Sequence, residues 1–184
     1  MKHKLSIKIL SFLIIFSFAF IFSVNLNIKP AFAMPFYGLS PKDVTLRSSF
    51  YTSFPASSPE RKYNIKLASS AIDKTLVDVG AEFSFNQTVG FRTIENGYKI
   101  ARIIMNGKFE KGVGGGVCQV SSTLYNAILL SGLKITEYHP HSLPVSYVAP
   151  SFDAMVNSGS ADLRFINNTN NPIIIRSYAD DSII

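Results

Sequence analysis

The chain holds one cysteine, Cys118, in the run Gly114-Gly115-Gly116-Val117-Cys118-Gln119-Val120-Ser121-Ser122-Thr123-Leu124-Tyr125-Asn126. Behind the glycines, Val120, Leu124, Ala127 and Ile128 recur at helical spacing, so the thiol is expected within a residue or two of a helix start. A helix N-terminus carries unpaired N–H groups and roughly half a positive charge, and both favour a thiolate. The glycines would let a substrate backbone come close. Backbone N–H groups at Gly115, Gly116 and Gln119, with the Gln119 side-chain amide, could hold the oxyanion of an acyl-transfer intermediate. The position suits a nucleophile, and a nucleophile needs a base. Beyond residue 33 the histidines are His139 and His141, in Tyr138-His139-Pro140-His141-Ser142, and two residues apart on an extended segment they would point to one side. Asp153 follows and could orient whichever imidazole acts. Arg92 or Arg102 could meet a substrate carboxylate, and Tyr125, with Tyr98, Tyr138 and Tyr147, could line a groove.

Plainer readings stand beside this one. A lone cysteine is commonly a small buried apolar residue that packs a helix onto a sheet. Asp153 could merely cap a turn. Cys118, His139, His141 and Asp153 are metal-ligand types, but His-Pro-His lacks the spacing of common zinc motifs. Ser121 and Ser122 lack the G-x-S-x-G frame of a serine nucleophile. The triple glycine is not followed by the Lys-Ser/Thr pair of a phosphate loop, so no nucleotide cofactor is expected. The chain order Cys, His, Asp is that of transglutaminase-like folds, although 21–23 residues from Cys to His is short for them.

The elements that must position these residues are legible in outline. Ser58-Pro59-Glu60 opens a helix expected over about 59–75, carried by Tyr63, Ile65, Ala68, Ala71, Ile72 and Leu76. A second helix is expected over about 117–131, stopped by Gly132. Strand character is read at Val44–Tyr51, Glu82–Asn86 and Tyr98–Met105, and after an Asn106-Gly107 hairpin turn at Lys108–Val113. Further strands are read at Leu133–Tyr138, Leu143–Val148, Ala154–Val156, Asp162–Ile166 and Pro172–Ser177. Grouped strands with two main helices predict an α+β fold with a mostly antiparallel sheet. The acidic tail Asp180-Asp181 is expected to fray.

Composition bounds the rest. The chain has 184 residues, 47% apolar and only 16% charged, with a net charge of +6. Lys2, Lys4, Lys8 and Lys29 lie in the first 33 residues without an acid, leaving 14 basic against 12 acidic residues beyond, a charge of 14 − 12 = +2. That near-balance argues against a nucleic-acid partner. One cysteine rules out an internal disulfide framework and a multi-cysteine metal site. A basic start, the uncharged run Ile9–Val24 and Ala31-Phe32-Ala33 have the form of an export signal over residues 1–33. The run is short for a membrane span, so membrane contact is expected only if that segment stays uncleaved as an anchor. The organisation expected is a signal segment, an extended lead-in over 34–58 and a folded domain over 59–184.

With these blocks in view the chain resembles the VanW family. The resemblance rests on Phe83-Ser84-Phe85-Asn86, Val89-Gly90 with Arg92-Thr93, Gly97-Tyr98, the block Gly114–Asn126, and Gly132-Leu133. It continues through His139-Pro140-His141-Ser142-Leu143-Pro144-Val145-Ser146-Tyr147, Asp153-Ala154 and Asp162-Leu163-Arg164-Phe165. Val77-Asp78-Val79-Gly80 departs from the pattern, where a proline-glycine turn is more usual, as do Ser151-Phe152 before Asp153 and Met155 after it. The resemblance implies a cell-envelope role, with peptidoglycan or a cell-wall peptide as the partner and a possible tie to glycopeptide resistance; it supplies no reaction. Two functions follow as expectations: cysteine-dependent acyl transfer or amide hydrolysis on a wall peptide, or a non-catalytic envelope-binding module with Cys118 in its core.

Overall fold

The computed structural model describes residues 44–105 and 107–184. The expected signal segment and the first part of the lead-in lie outside them. Helix α1 (Pro59–Ile72) starts as its sequence dictates, with Pro59 in the first turn and the Ser58 side chain accepting from Arg61 N at 3.3 Å. It ends at Ile72 rather than at residue 75, because Lys74 turns the chain at φ 63° and Thr75 opens β1 (Thr75–Val77). Strand β2 (Glu82–Ser84) is followed by α2 (Phe85–Val89), a single turn capped by Ser84 Oγ, where the sequence suggested that the strand ran on to Asn86.

β3 (Ile100–Met105) and β4 (Lys108–Val113) form the expected hairpin, with Met105 opposite Lys108. Helix α3 (Val117–Ser131) has the predicted bounds. Gly116 at φ 109° precedes it, and Gly132 at φ 68° closes it with N–H bonds to Ile128 O and Leu129 O. The remaining strands are β5 (Lys134–Glu137), β6 (Arg164–Ile166) and β7 (Ile173–Ile175).

The fold is α+β and every strand pairing is antiparallel, but the pairings fall into three small sheets: β1–β7, β2–β6–β5 and β3–β4. The core lies between α1, α3 and the three-stranded sheet. There Phe83 stacks on Phe165 with ring centroids 5.0 Å apart, among buried Ile65, Ala68, Val120, Ile128 and Leu163.

Three expected strands do not form. Val44–Tyr51 is irregular and mostly exposed. Leu143–Val148 is a series of bends. Ala154–Val156 forms no strand: Ser121 and Ser122 take the Ala154 backbone groups, and Met155 N makes a single bond to His139 O at 2.7 Å. The tail does not fray: Thr52 and Ile184 exchange two backbone hydrogen bonds, and Asp181 meets Lys66 at 2.8 Å.

Candidate active site

Cys118 occupies the second position of α3, half-buried, with the uncapped helix start behind it. Three α3 side chains on the same face as the thiol are buried and polar: Ser121, Ser122 and Asn126. Each reaches the segment 152–156. Ser122 Oγ donates to Cys118 O at 2.7 Å and accepts from Ala154 N at 2.9 Å. Ser121 Oγ donates to Ala154 O at 2.6 Å, and Asn126 Nδ2 to Phe152 O at 2.7 Å. Asp153 is therefore clamped between two anchored residues.

Asp153 in turn holds His141. Its Oδ2 accepts from His141 N at 2.7 Å and pairs with His141 Nδ1 at 2.6 Å, with both side chains nearly withdrawn from solvent. Nδ1 is thus the protonated nitrogen beside the carboxylate, which leaves Nε2 as the nitrogen free to accept a proton. The protonated thiol donates to Val156 O at 3.4 Å. Burial pushes the Cys118 thiol up, but the His141 imidazole and the Arg92 guanidinium outweigh it, and the thiol ionises below its ordinary range. Burial pushes His141 down, but Cys118 and Asp153 hold it above the ordinary histidine value. Opposed shifts of this kind, a thiol lowered and an imidazole raised by each other, favour charge separation between the two groups.

His139 is not part of this group. His139 Nε2 meets Glu137 Oε1 at 3.0 Å on the half-exposed side, and its backbone O accepts from Met155 N at 2.7 Å. Cys118, His139, His141 and Asp153 therefore do not converge as metal ligands, and no group of three such residues among those described is arranged to hold an ion.

The glycines serve the protein's own packing rather than opening space for a substrate. A Cβ on Gly115 would stand 2.6 Å from Arg102 O, and one on Gly116 would stand 3.0 Å from Arg61 Cγ. Gln119 is buried with its amide committed: Oε1 accepts from Arg61 at 2.7 Å and Nε2 donates to Thr52 Oγ1 at 2.8 Å. Its backbone N–H goes to Gly116 O at 3.0 Å, and Val117 N–H to Gly114 O at 3.1 Å. The N–H groups of Gly115, Gly116 and Cys118 have no acceptor among the described residues, so unpaired donors remain around the start of α3.

Arg92 lies by the thiol, close enough for their charges to interact, and donates to Gly90 O at 3.0 Å. Arg102 does not join it; its side chain stacks over Phe109 at 3.8 Å on the exposed hairpin. Tyr125 is buried and stacks on Tyr138, ring centroids 4.8 Å apart, on the Asp153 side.

Arg61, which the sequence does not single out, lies near Tyr147, which it does. The Arg61 guanidinium lies 6.0 Å over the Tyr147 ring. Tyr147 is held well above the ordinary phenol value by burial and by the Cys118 charge, against a Ser122 hydrogen bond and the Arg61 charge. An open apolar groove of about 380 Å³, lined by Phe50, Leu129, Leu130, Val148 and Phe152 among others, adjoins the Asp153 segment.

A family model for VanW-like proteins matches residues 60–184. An uncharacterised Bacillus subtilis protein, YoaR, is 48% identical over 137 residues, covering 73% of this chain and 45% of its own. The vancomycin B-type resistance protein VanW of Enterococcus faecalis is 31% identical over 127 residues, covering 66% of this chain and 46% of its own. The chain thus spans about half the length of the curated relatives it matches. No solved structure matches it.

Proposed function

The chain belongs to the VanW family, and from that premise we propose that it is an exported cell-envelope enzyme performing cysteine-dependent acyl transfer or amide hydrolysis on peptidoglycan peptides. The observation that carries the reading is the 2.6 Å contact from Asp153 to the His141 imidazole, whose other nitrogen is free to accept a proton.

The Cys118 thiolate attacks the carbonyl carbon of an amide, and the new oxyanion is met by the Cys118 N–H. As the C–N bond breaks, the His141 imidazolium gives its Nε2 proton to the departing nitrogen, leaving a thioester and a free amine. Neutral His141 then takes a proton from water or from an acceptor amine. That nucleophile attacks the thioester carbonyl, the C–S bond breaks, and the thiolate–imidazolium pair returns. Asp153 stays ionised throughout and holds the imidazole in its tautomer.

Export rests on the basic, apolar and small-x-small order of residues 1–33. The name of the Enterococcus faecalis relative extends the proposal to glycopeptide resistance. The test is to incubate the protein with purified peptidoglycan peptides and follow their masses. A mass change for amide cleavage or acyl transfer that is lost in Cys118→Ala is expected. Peptides left unchanged by a folded wild-type protein would leave the envelope-binding alternative, in which Cys118→Ser retains binding.

A further inference from the structure

Two arginine side chains pack their stems against the glycine turn that leads into α3. Arg92 lies against Gly114, where a Cβ would stand 3.0 Å from Arg92 Cβ. Arg61 lies against Gly116, where a Cβ would stand 3.0 Å from Arg61 Cγ. One residue separates the two glycines, so their Cα atoms are at most about 7 Å apart. The side chains therefore approach one short stretch of backbone, two residues ahead of the thiol.

Neither arginine has a carboxylate within 4.0 Å among the described residues, although the Asp162 charge reaches Arg92. Among the described residues, Arg164 and Arg176 meet acidic side chains within 4.0 Å, while Arg61 and Arg92 meet none. Their hydrogen bonds go to neutral oxygens: Arg61 to Ser57 Oγ at 2.8 Å and Gln119 Oε1 at 2.7 Å, Arg92 to Gly90 O at 3.0 Å. A guanidinium has five N–H donors, so Arg92 keeps most of its fork and Arg61 keeps part. Both are only partly exposed, and burial works against both charges while the Cys118 charge favours them. A half-desolvated cation with no carboxylate bonded to it is costly, and a planar fork is the side chain that fits a carboxylate.

We propose that Arg61 and Arg92 form a carboxylate clamp beside Cys118, so that the site takes peptide acyl donors bearing a free carboxylate next to the amide under attack. The clamp rests on Cys118 being the nucleophile, and the test separates the two. Arg92 is the principal member; Arg61 also supports Gln119, so its substitution risks the fold.

The probes are iodoacetate and iodoacetamide, in which a thiolate displaces iodide from the same carbon with and without a neighbouring carboxylate. Their rate ratio at Cys118 is measured on native and unfolded protein at low salt, for the wild type, Arg92→Gln and Arg92→Lys. The exposed Lys108→Gln serves as a charge-matched control. The native ratio of iodoacetate to iodoacetamide is expected at least about tenfold above the unfolded ratio. It should saturate with iodoacetate, collapse in Arg92→Gln, recover only in part in Arg92→Lys, and persist in Lys108→Gln. Protection against iodoacetamide by a peptide with a free C-terminal carboxylate, or by a C-amidated peptide with a glutamate side chain, identifies which carboxylate the clamp holds. Fast iodoacetamide reaction with a native ratio equal to the unfolded one overturns the clamp and leaves the nucleophile standing. Iodoacetamide reaction no faster than that of the unfolded chain overturns both.

Discussion

Replacing Asp153 with asparagine keeps the shape of the site and removes one negative charge from its closest contact. Asp153 Oδ2 sits 2.6 Å from His141 Nδ1, with side-chain exposures of 6% for the histidine and 11% for the aspartate, so solvent does little to screen the pair. Hydrogen bonds to charged groups contribute about 1.5–3 kcal/mol. At about 1.4 kcal/mol per decade, the ratio of thiolate–imidazolium to thiol–imidazole should fall about 10–100-fold in Asp153→Asn. The quantity read is the ultraviolet absorbance of the thiolate against pH, taken as the difference from Cys118→Ala. The wild type should show thiolate in mildly acidic solution, and the variant should lose most of it there and regain it only as the thiol itself titrates. Unfolding curves for both proteins establish that the variant is folded. Superimposed thiolate curves would refute the argument that Asp153 acts on the thiol through His141.

Other outcomes follow from the same contacts. Ser122→Ala leaves the buried Ala154 N–H without its acceptor, so it should cost about 1–3 kcal/mol and lower Tm by several degrees in thermal unfolding. Gly115→Ala puts a Cβ 2.6 Å from Arg102 O, a backbone atom that cannot swing aside, and should destabilise by about 1–3 kcal/mol or more in urea titration. His139→Gln should leave the pH profile of thiol alkylation unchanged, whereas His141→Gln should erase its acidic limb. Because folding raises His141 above 6.5, its contribution to stability is complete below that pH and is lost as pH rises through the folded value. Because folding lowers Cys118 below 9.0, its contribution is complete above that pH and is lost as pH falls through the folded value. Urea midpoints of His141→Gln and Cys118→Ser against wild type across pH should move in these opposite senses.

The single cysteine at a glycine-led helix start was legible because capping and periodicity are local, and α3 has the bounds its apolar spacing predicts. The choice between two histidines was not legible, since it turns on which imidazole meets Asp153 and which meets Glu137 in the folded chain. Alternation suggested strands at Leu143–Val148 and Ala154–Val156. The second has its backbone bonded instead by Ser121 and Ser122, a contact made 32–33 residues away in sequence. Arg61 carried no local sign of its place, because it reaches Gln119 across 58 residues and only packing of α1 on α3 brings them together. The glycines were expected to let a substrate backbone come close. What approaches is β3 and α1, since the chain fills that space itself.

The most direct measurement is the rate of Cys118 alkylation by iodoacetamide against pH, on native protein with the unfolded chain as reference. The triad account predicts that the native thiol reacts at pH values where the unfolded one is silent, with an apparent pKa well below the free-thiol value of about 8.5. A native thiol that reacts only at or above that value, or only once the protein unfolds, would contradict it and return Cys118 to the core.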